Sequence, residues 1–235
     1  MSFTFPEFPT RRAEPVKSPP DFAGLILRPK TRPFGLYRDV FKRALDVTAI
    51  ALAAPVVVPL VAVLAIGVAL DGGKPFYSQL RLGKDGKVFR MWKLRSMVRN
   101  ADEQLNELLK RDPVARAEWN ATQKLRQDPR ITGFGRILRR SSLDELPQLW
   151  NVMTGDMSLV GPRPMMVDQR EMYPGTAYYA LRPGITGYWQ TAGRNRTTFQ
   201  ARAEYDTVYD EGLAFSTDVR ILWRTVSVVM NGTGC

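Results

Sequence analysis

The 24 residues from Val47 to Leu70 carry no charged side chain, and no other feature of the chain limits its fold so strongly. A helix needs about 20 apolar residues to cross the hydrocarbon core of a bilayer. A single small domain rarely hides a longer block than that, so the segment is expected to enter a membrane. Pro55 and Pro59 stand in its middle. Each removes a backbone donor and strains the turn before it, so a kink or break is expected rather than a straight rod. Arg38, Lys42 and Arg43 flank one side, and Lys74, Arg81, Lys84 and Lys87 the other. A straight span gathers Lys and Arg on its cytoplasmic side only. Basic residues at both mouths favour a re-entrant hairpin helix, with both ends in the cytoplasm, over a crossing.

Three regions follow along the chain. Residues 1–37 hold seven prolines among scattered charges and show no apolar period, which reads as a flexible arm rather than a signal peptide. Residues 38–71 form the membrane-embedded helix. Residues 72–235 form a cytoplasmic body, because no further apolar run is long enough to span. Within that body, Pro75–Leu80 and Val88–Leu94 around the Gly83–Gly86 turn predict a β-hairpin. Charged helices are expected from Ala101 to about Lys110, with Leu105, Leu108 and Leu109 on a narrow buried face, and from Val114 to Gln127. Another should begin near Ser142 and stop at Gly155. The last, Thr217 to Met230, suits either the membrane surface, with Trp223 at headgroup level, or packing on the core. The expected fold class is α/β in a loose sense. It is mainly helical, with amphipathic interfacial helices around a small catalytic domain.

Composition narrows the chemistry. One Cys and no His among 235 residues exclude a disulfide framework, a Cys/His zinc site and a histidine base. A formal charge of +11 favours an anionic partner: nucleic acid, anionic lipid or a phosphorylated substrate.

The most informative stretch is SSLDELPQLWNVMTGDMSLVGPRP, Ser141 to Pro164, which follows Arg136, Arg139 and Arg140. Ser142 and Glu145 have the spacing of a capping box, which would give Asp144 and Glu145 a purely structural role at a helix start. The same geometry also serves chemistry. First-turn amides attract phosphate, and a carboxylate held there is expected to stay ionised below its reference value of about 3.9. An ionised Asp can attack phosphorus, provided that Arg139, Arg163 and a divalent metal offset the repulsion. The loop from Arg182 to Arg194 interleaves Gly184, Gly187, Tyr188, Trp189 and Gln190. It suits either an ordinary turn with a buried Trp or a nucleotide and sugar pocket.

These residues carry a family resemblance. The string around Asp144-Glu145, GDMSLVGPRP from Gly155, KLRSM at Lys93–Met97 and LRPGITGYWQTAGRN from Leu181 together resemble the bacterial sugar transferases. Those are small monotopic phosphoglycosyl transferases that initiate exopolysaccharide or O-antigen units. The resemblance covers about Phe41 to the C-terminus. It implies a two-step reaction in which the Asp at position 144 attacks the sugar-bearing phosphorus of a UDP-sugar and releases UMP, and polyprenyl (undecaprenyl) phosphate then takes the phosphosugar.

By the same resemblance, Glu145 is the second acid, and Asp144 and Glu145 hold Mg²⁺ or Mn²⁺. Lys93, Arg139 and Arg163 are basic positions around phosphate, with Arg95 a further candidate. Arg182, Trp189, Gln190 and Arg194 are expected to bind substrate. Asp156 is read as a loop cap. Pro59 matches the family's helix-breaking proline, which usually follows Ser; here Val58 precedes it, and Pro55 is extra. The donor looks closest to UDP-galactose or UDP-glucose, and the location to the bacterial inner membrane with the site facing the cytoplasm. Oligomeric state is not legible.

Two other readings compete. A membrane-anchored basic adaptor would explain charge and anchor, but not why acids and bases cluster with glycines in three loops, and no stretch resembles a nucleic-acid-binding module. An ordinary glycosyltransferase would show an acidic triplet with a spacer, DxD, and the chain has none.

Overall fold

The computed structural model describes residues 34–122, 125, 127–193 and 199–230. The chain is mainly helical, with two small two-stranded sheets. After a π-helical turn, Tyr37–Phe41, comes α1, Lys42–Ala69. The antiparallel hairpin β1 (Phe76–Leu82) and β2 (Val88–Leu94) follows, in the register Phe76 opposite Leu94 through Leu82 opposite Val88. Then come α2 (Ala101–Arg111), α3 (Pro113–Thr122), α4 (Gly133–Ser141), a 3₁₀ turn at Leu143–Glu145 and α5 (Gln148–Thr154). Strand β3 (Ser158–Val160), α6 (Ala177–Ala180), β4 (Gly184–Thr186), α7 (Arg202–Glu211) and α8 (Phe215–Met230) complete the order.

Helix α1 is fastened to the body at both ends and bare between them. At its start, Lys42 pairs with Asp218 at 2.6 Å, Asp46 accepts from Ser158 Oγ at 2.6 Å, and Ile50 packs among Phe89, Met91, Val152 and Met157. At its end, Val68 is buried with Leu94 and Leu138, and Leu64 and Ala65 pack beside it. In the middle, Leu52, Val56, Val58 and Val63 are exposed. Helix α1 is therefore not the core helix of a soluble domain. The helix runs on through Pro55 and Pro59. The expected break into two helices is absent: α1 is one continuous element, although each proline lacks the N–H that would pair one turn back.

The body differs from expectation at Ser142. No capping box forms there: Ser142 closes α4 with a left-handed backbone, φ 57°, and its side chain caps nothing. The real start of α5 follows Pro147, which lacks the N–H that a helix start could not pair. Gly155 ends α5 as expected, with φ 93°. The α4 helix itself was not foreseen. Its N-cap Thr132 accepts from Gly135 N at 2.9 Å, and Leu138 seals it against α1.

Helix α8 packs one face on the core, as one of the two expectations has it. Ile221 is fully buried with Val160, Leu181 and Tyr209, whereas Trp223, Val219 and Val226 face outward.

Strands β3 and β4 are parallel, pairing Ser158 with Gly184 and Val160 with Thr186. Their flanking glycines bring two backbones into direct contact. A Cβ on Gly184 would stand 2.1 Å from Gly161 N, and one on Gly187 would stand 2.1 Å from Gly161 O. No side chain fits there. Gly184→Ala is therefore expected to cost about 1–3 kcal/mol or more through overpacking, lowering the melting temperature by roughly 2–4 °C per kcal/mol for a chain of this size. Gly133→Ala, whose Cβ would meet nothing within 4 Å, should leave it unchanged or raise it. Thermal unfolding of the two variants checks the pair.

Candidate active site

Three segments meet around the Asp144-Glu145 pair. Strand β2 presents Lys93, whose Nζ lies 2.7 Å from Glu145 Oε1. The end of α4 brings Arg139, which donates from Nε to Ser96 Oγ at 2.8 Å. The 3₁₀ turn carries the two acids, its direction set by the left-handed Ser142. Such a backbone costs a non-glycine residue about 1–2 kcal/mol.

Asp144 is buried, at 7% exposure. Burial pushes its carboxyl above the ordinary range; Lys93 and Arg139 pull it down, while neighbouring Glu145 pushes it further up. This reverses the lowered value expected from a helix start. The turn is three residues long, so it has no helix dipole to stabilise the charge, and desolvation dominates.

Beside Glu145 lies a small cavity walled by Arg81, Lys93, Gln148, Arg163 and Ile185. Glu145 lines it; Asp144, its neighbour in sequence, does not. Across from the acids is a concentration of positive charge. Arg163 lies 5.8 Å from the Trp189 ring, and Arg202 lies 5.1 Å from the same ring. Arg202 also donates to the Arg163 carbonyl at 2.6 Å and lies 4.9 Å from the Phe199 ring. Burial, with Arg163 and Arg202 nearby, pushes the Arg81 guanidinium down to about 10. The Nε atoms of Arg81 and Arg202 are buried without a hydrogen-bond partner. Unpaired buried donors are costly, and an anion entering between these arginines would pair them.

The structure thus brings together Asp144, Glu145, Lys93, Arg139, Arg163 and Trp189. Gln190 is 6% exposed, and both its amide atoms lack partners. Arg95 and Arg182 stand elsewhere. Arg95 donates to Val68 O at 3.0 Å, holding the C-terminal end of α1 where a cation complements the helix dipole. Arg182 donates to Gly155 O at 3.0 Å and lines a different cavity, with Arg38 and Arg43. Arg194 lies outside the described residues. Asp156 accepts from Thr154 Oγ1 at 3.0 Å and Asn151 Nδ2 at 3.3 Å, stitching the end of α5.

Sequence reasoning missed Arg81, Gln148 and Arg202. Arg81 was read only as flanking charge. Gln148 stands inside the Ser141–Pro164 stretch, three residues after Glu145, but is uncharged and was passed over; Arg202 sits in no motif, and only the tertiary fold brings it beside Arg163.

The family model for bacterial sugar transferases matches residues 37–232. The UDP-galactose-lipid carrier transferase of Erwinia amylovora is 44% identical over 195 residues, 82% of this chain and 41% of that protein. The undecaprenyl-phosphate galactose phosphotransferase of Salmonella typhimurium is 45% identical over 82% of this chain and 41% of its own length. The exopolysaccharide production protein ExoY of Rhizobium meliloti is 41% identical over 206 residues, 86% of this chain and 90% of that protein. The chain therefore spans about two fifths of the first two and most of the third. On the match across nearly all its described length, it belongs to the bacterial sugar transferase family.

Proposed function

We propose that the chain transfers a hexose 1-phosphate from a UDP-sugar to polyprenyl phosphate, releasing UMP, through a phosphosugar on Asp144. The observation that carries this reading is a buried carboxylate, Asp144, next to Glu145, which lines a cavity together with Lys93, Arg81 and Arg163, the buried Arg81 Nε lacking a hydrogen-bond partner among the described residues. A diphosphate has the charge and the oxygens to pair these cations. The relatives named for UDP-galactose and for undecaprenyl phosphate point to the same donor and acceptor classes.

In the first step an Asp144 oxygen attacks the sugar-bearing phosphorus. A new phosphorus–oxygen bond forms, the bond to the bridging oxygen breaks, and UMP leaves with the electron pair. In the second step an oxygen of polyprenyl phosphate attacks the same phosphorus, and the bond to Asp144 breaks. The carboxylate is then regenerated. Lys93 and Arg139 hold Asp144 in its charged form against burial. Arg163, steadied by Trp189 and Arg202, balances charge on the phosphates.

Two adjacent carboxylates with no cluster of three acidic or thiol groups among the described residues fit Mg²⁺ or Mn²⁺. Such ions take one or two carboxylates and complete their shell from water and substrate phosphates. Asp144 and Glu145 would hold the ion, which supplies charge neutralisation at the phosphate oxygens.

The attachment of both ends of α1 to one body, with an exposed apolar middle, supports a helix seated from one side of the bilayer rather than a crossing. The site then faces the cytoplasm at the bacterial inner membrane, where nucleotide sugars are made. UDP-galactose and UDP-glucose are the proposed donors.

Three outcomes are expected. Incubated with a panel of UDP-sugars, polyprenyl phosphate and Mg²⁺, the protein releases UMP with one of them; release of UDP would overturn the reaction. Asp144→Asn lowers turnover by roughly 10³-fold or more, as loss of a nucleophile does. The same variant melts no lower than the parent, because it removes a buried charge. An Asn variant with full turnover would remove Asp144 from its role.

The acid limb of the kcat/KM profile is expected above the ordinary carboxylate range, because Asp144 must lose its proton to attack and burial opposes that loss. Lys93→Met should shift this limb to higher pH, since Lys93 favours the charged form. A pH series on both proteins reads the shift.

With Cys235 replaced by Ser, single cysteines at Asp39 and Lys74 should both resist an impermeant maleimide in intact spheroplasts and react after lysis. Labelling of either one before lysis would establish a crossing.

A further inference from the structure

We propose that the cavity at the N-terminal mouth of α1 binds the phosphate headgroup of an anionic membrane lipid. This cavity, of about 110 Å³, is separate from the one beside Glu145 and is the larger of the two. Five cations line it: Arg38, Lys42, Arg43, Lys84 and Arg182. Two acids also line it, and both are already engaged. Asp46 accepts from Ser158 Oγ and from Leu159 N at 3.3 Å, and Asp39 accepts from Gly35 N at 2.8 Å.

Two of the cations have acidic partners, Arg38 with Asp210 at 2.5 Å and Lys42 with Asp218. Three do not. Arg43 donates only to the carbonyls of Val152 and Met153, so its charge is not neutralised by an acid. Arg182 uses Nε alone, on Gly155 O, which leaves both terminal nitrogens unspent. The ammonium of Lys84, exposed on the hairpin turn, makes no hydrogen bond among the described residues. Cations without acidic partners around a hollow are complementary to phosphate.

The surroundings distinguish a lipid from a soluble anion. Val40, Phe41 and Leu45, on the turns of helix that enter the apolar stretch, are exposed. A free phosphate would gain nothing from them. A lipid would seat its headgroup among the arginines and lay its acyl chain along α1. Basic pockets at the membrane surface select anionic headgroups in this way. None of these groups touches the Asp144 pair, and the acceptor's phosphate is not needed here. The inference rests on the membrane placement of α1, but not on the reaction proposed above.

The test uses the full chain reconstituted in phosphatidylcholine bilayers containing a minority of phosphatidylglycerol. Lipid retained after mild detergent extraction is quantified by mass spectrometry. The parent should retain phosphatidylglycerol several-fold above its bulk fraction. Lys84→Gln with Arg182→Gln should bring the retained ratio back to bulk. Lys84→Gln alone, on an exposed turn that does not threaten folding, should lower it part of the way. Lys74→Gln with Lys87→Gln removes the same charge outside the cavity and should leave retention intact. Equal loss in that control pair would overturn the site in favour of diffuse surface charge. Protection of the parent by inorganic phosphate to the same extent would make it a soluble-anion site. Vesicle flotation separates the two premises. Failure to float would overturn the membrane placement and the lipid site together, whereas floating without enrichment would overturn the lipid site alone.

Discussion

A long apolar helix clamped at both ends to one small body is the constraint on which the rest of this structure depends. At one end the clamp is polar. The Asp218 carboxylate accepts from Tyr37 at 2.7 Å, from Lys42 at 2.6 Å and from Tyr209 at 2.6 Å, so the entry to α1, helix α7 and helix α8 share one acceptor. A carboxylate this well surrounded by donors is costly to leave half-paired, which makes the joint all-or-none. At the other end the clamp is apolar, Val68 against Leu94 and Leu138, with Arg95 closing the helix terminus. Leu94 ends β2, one residue from Lys93, and Leu138 precedes Arg139. The seat of the membrane helix is therefore built from the same elements that position the groups around Asp144.

The site balances two opposing demands. A nucleophile toward phosphorus must be charged, and a dry surrounding resists charge. Lys93 and Arg139 offset that resistance, but Glu145 adds to it. On the far wall the conflict has the opposite sign: Arg81 and Arg202 lie close to Arg163, and burial disfavours the charged forms of Arg81 and Arg202. Asp206 answers Arg202 only in part, since its own carboxyl is pushed up to about 6 by burial, against a hydrogen bond from Tyr173 and the charge of Arg202. Both walls thus carry charges that burial opposes, of opposite sign.

Much of this was legible in the sequence where the signal is local. The uncharged run at Val47–Leu70, the glycine turn between β1 and β2, and Gly155 at the end of α5 each state their structure within a few residues. The glycines of the GPRP and RPGITG stretches were legible as motifs, but their reason was not: Gly161 and Gly184 need each other across a backbone crossing. Ser142 misled because a serine three residues before a glutamate reads the same whether it opens a helix or closes one. The outcome was decided by Pro147 and by the packing of α4 on α1. Strands of three residues such as β3 and β4 have too little period to announce themselves. Arg95 and Arg182 looked like substrate partners by motif, yet tertiary contacts seat Arg95 on the Val68 carbonyl and Arg182, through Nε, on the Gly155 carbonyl, away from the acids.

The double clamp on α1 also decides how this protein meets bilayers of different thickness. A free helix answers a mismatch by tilting, but one pinned at Asp46 and at Val68 cannot change its inclination without releasing a buried contact. One added residue would turn every following side chain by about 100° and lift it by about 1.5 Å, moving Val68 out of its slot. The lipid, not the protein, must then deform, so the depth of the Asp144 carboxylate relative to the headgroups is a property of the fold and not of the membrane around it.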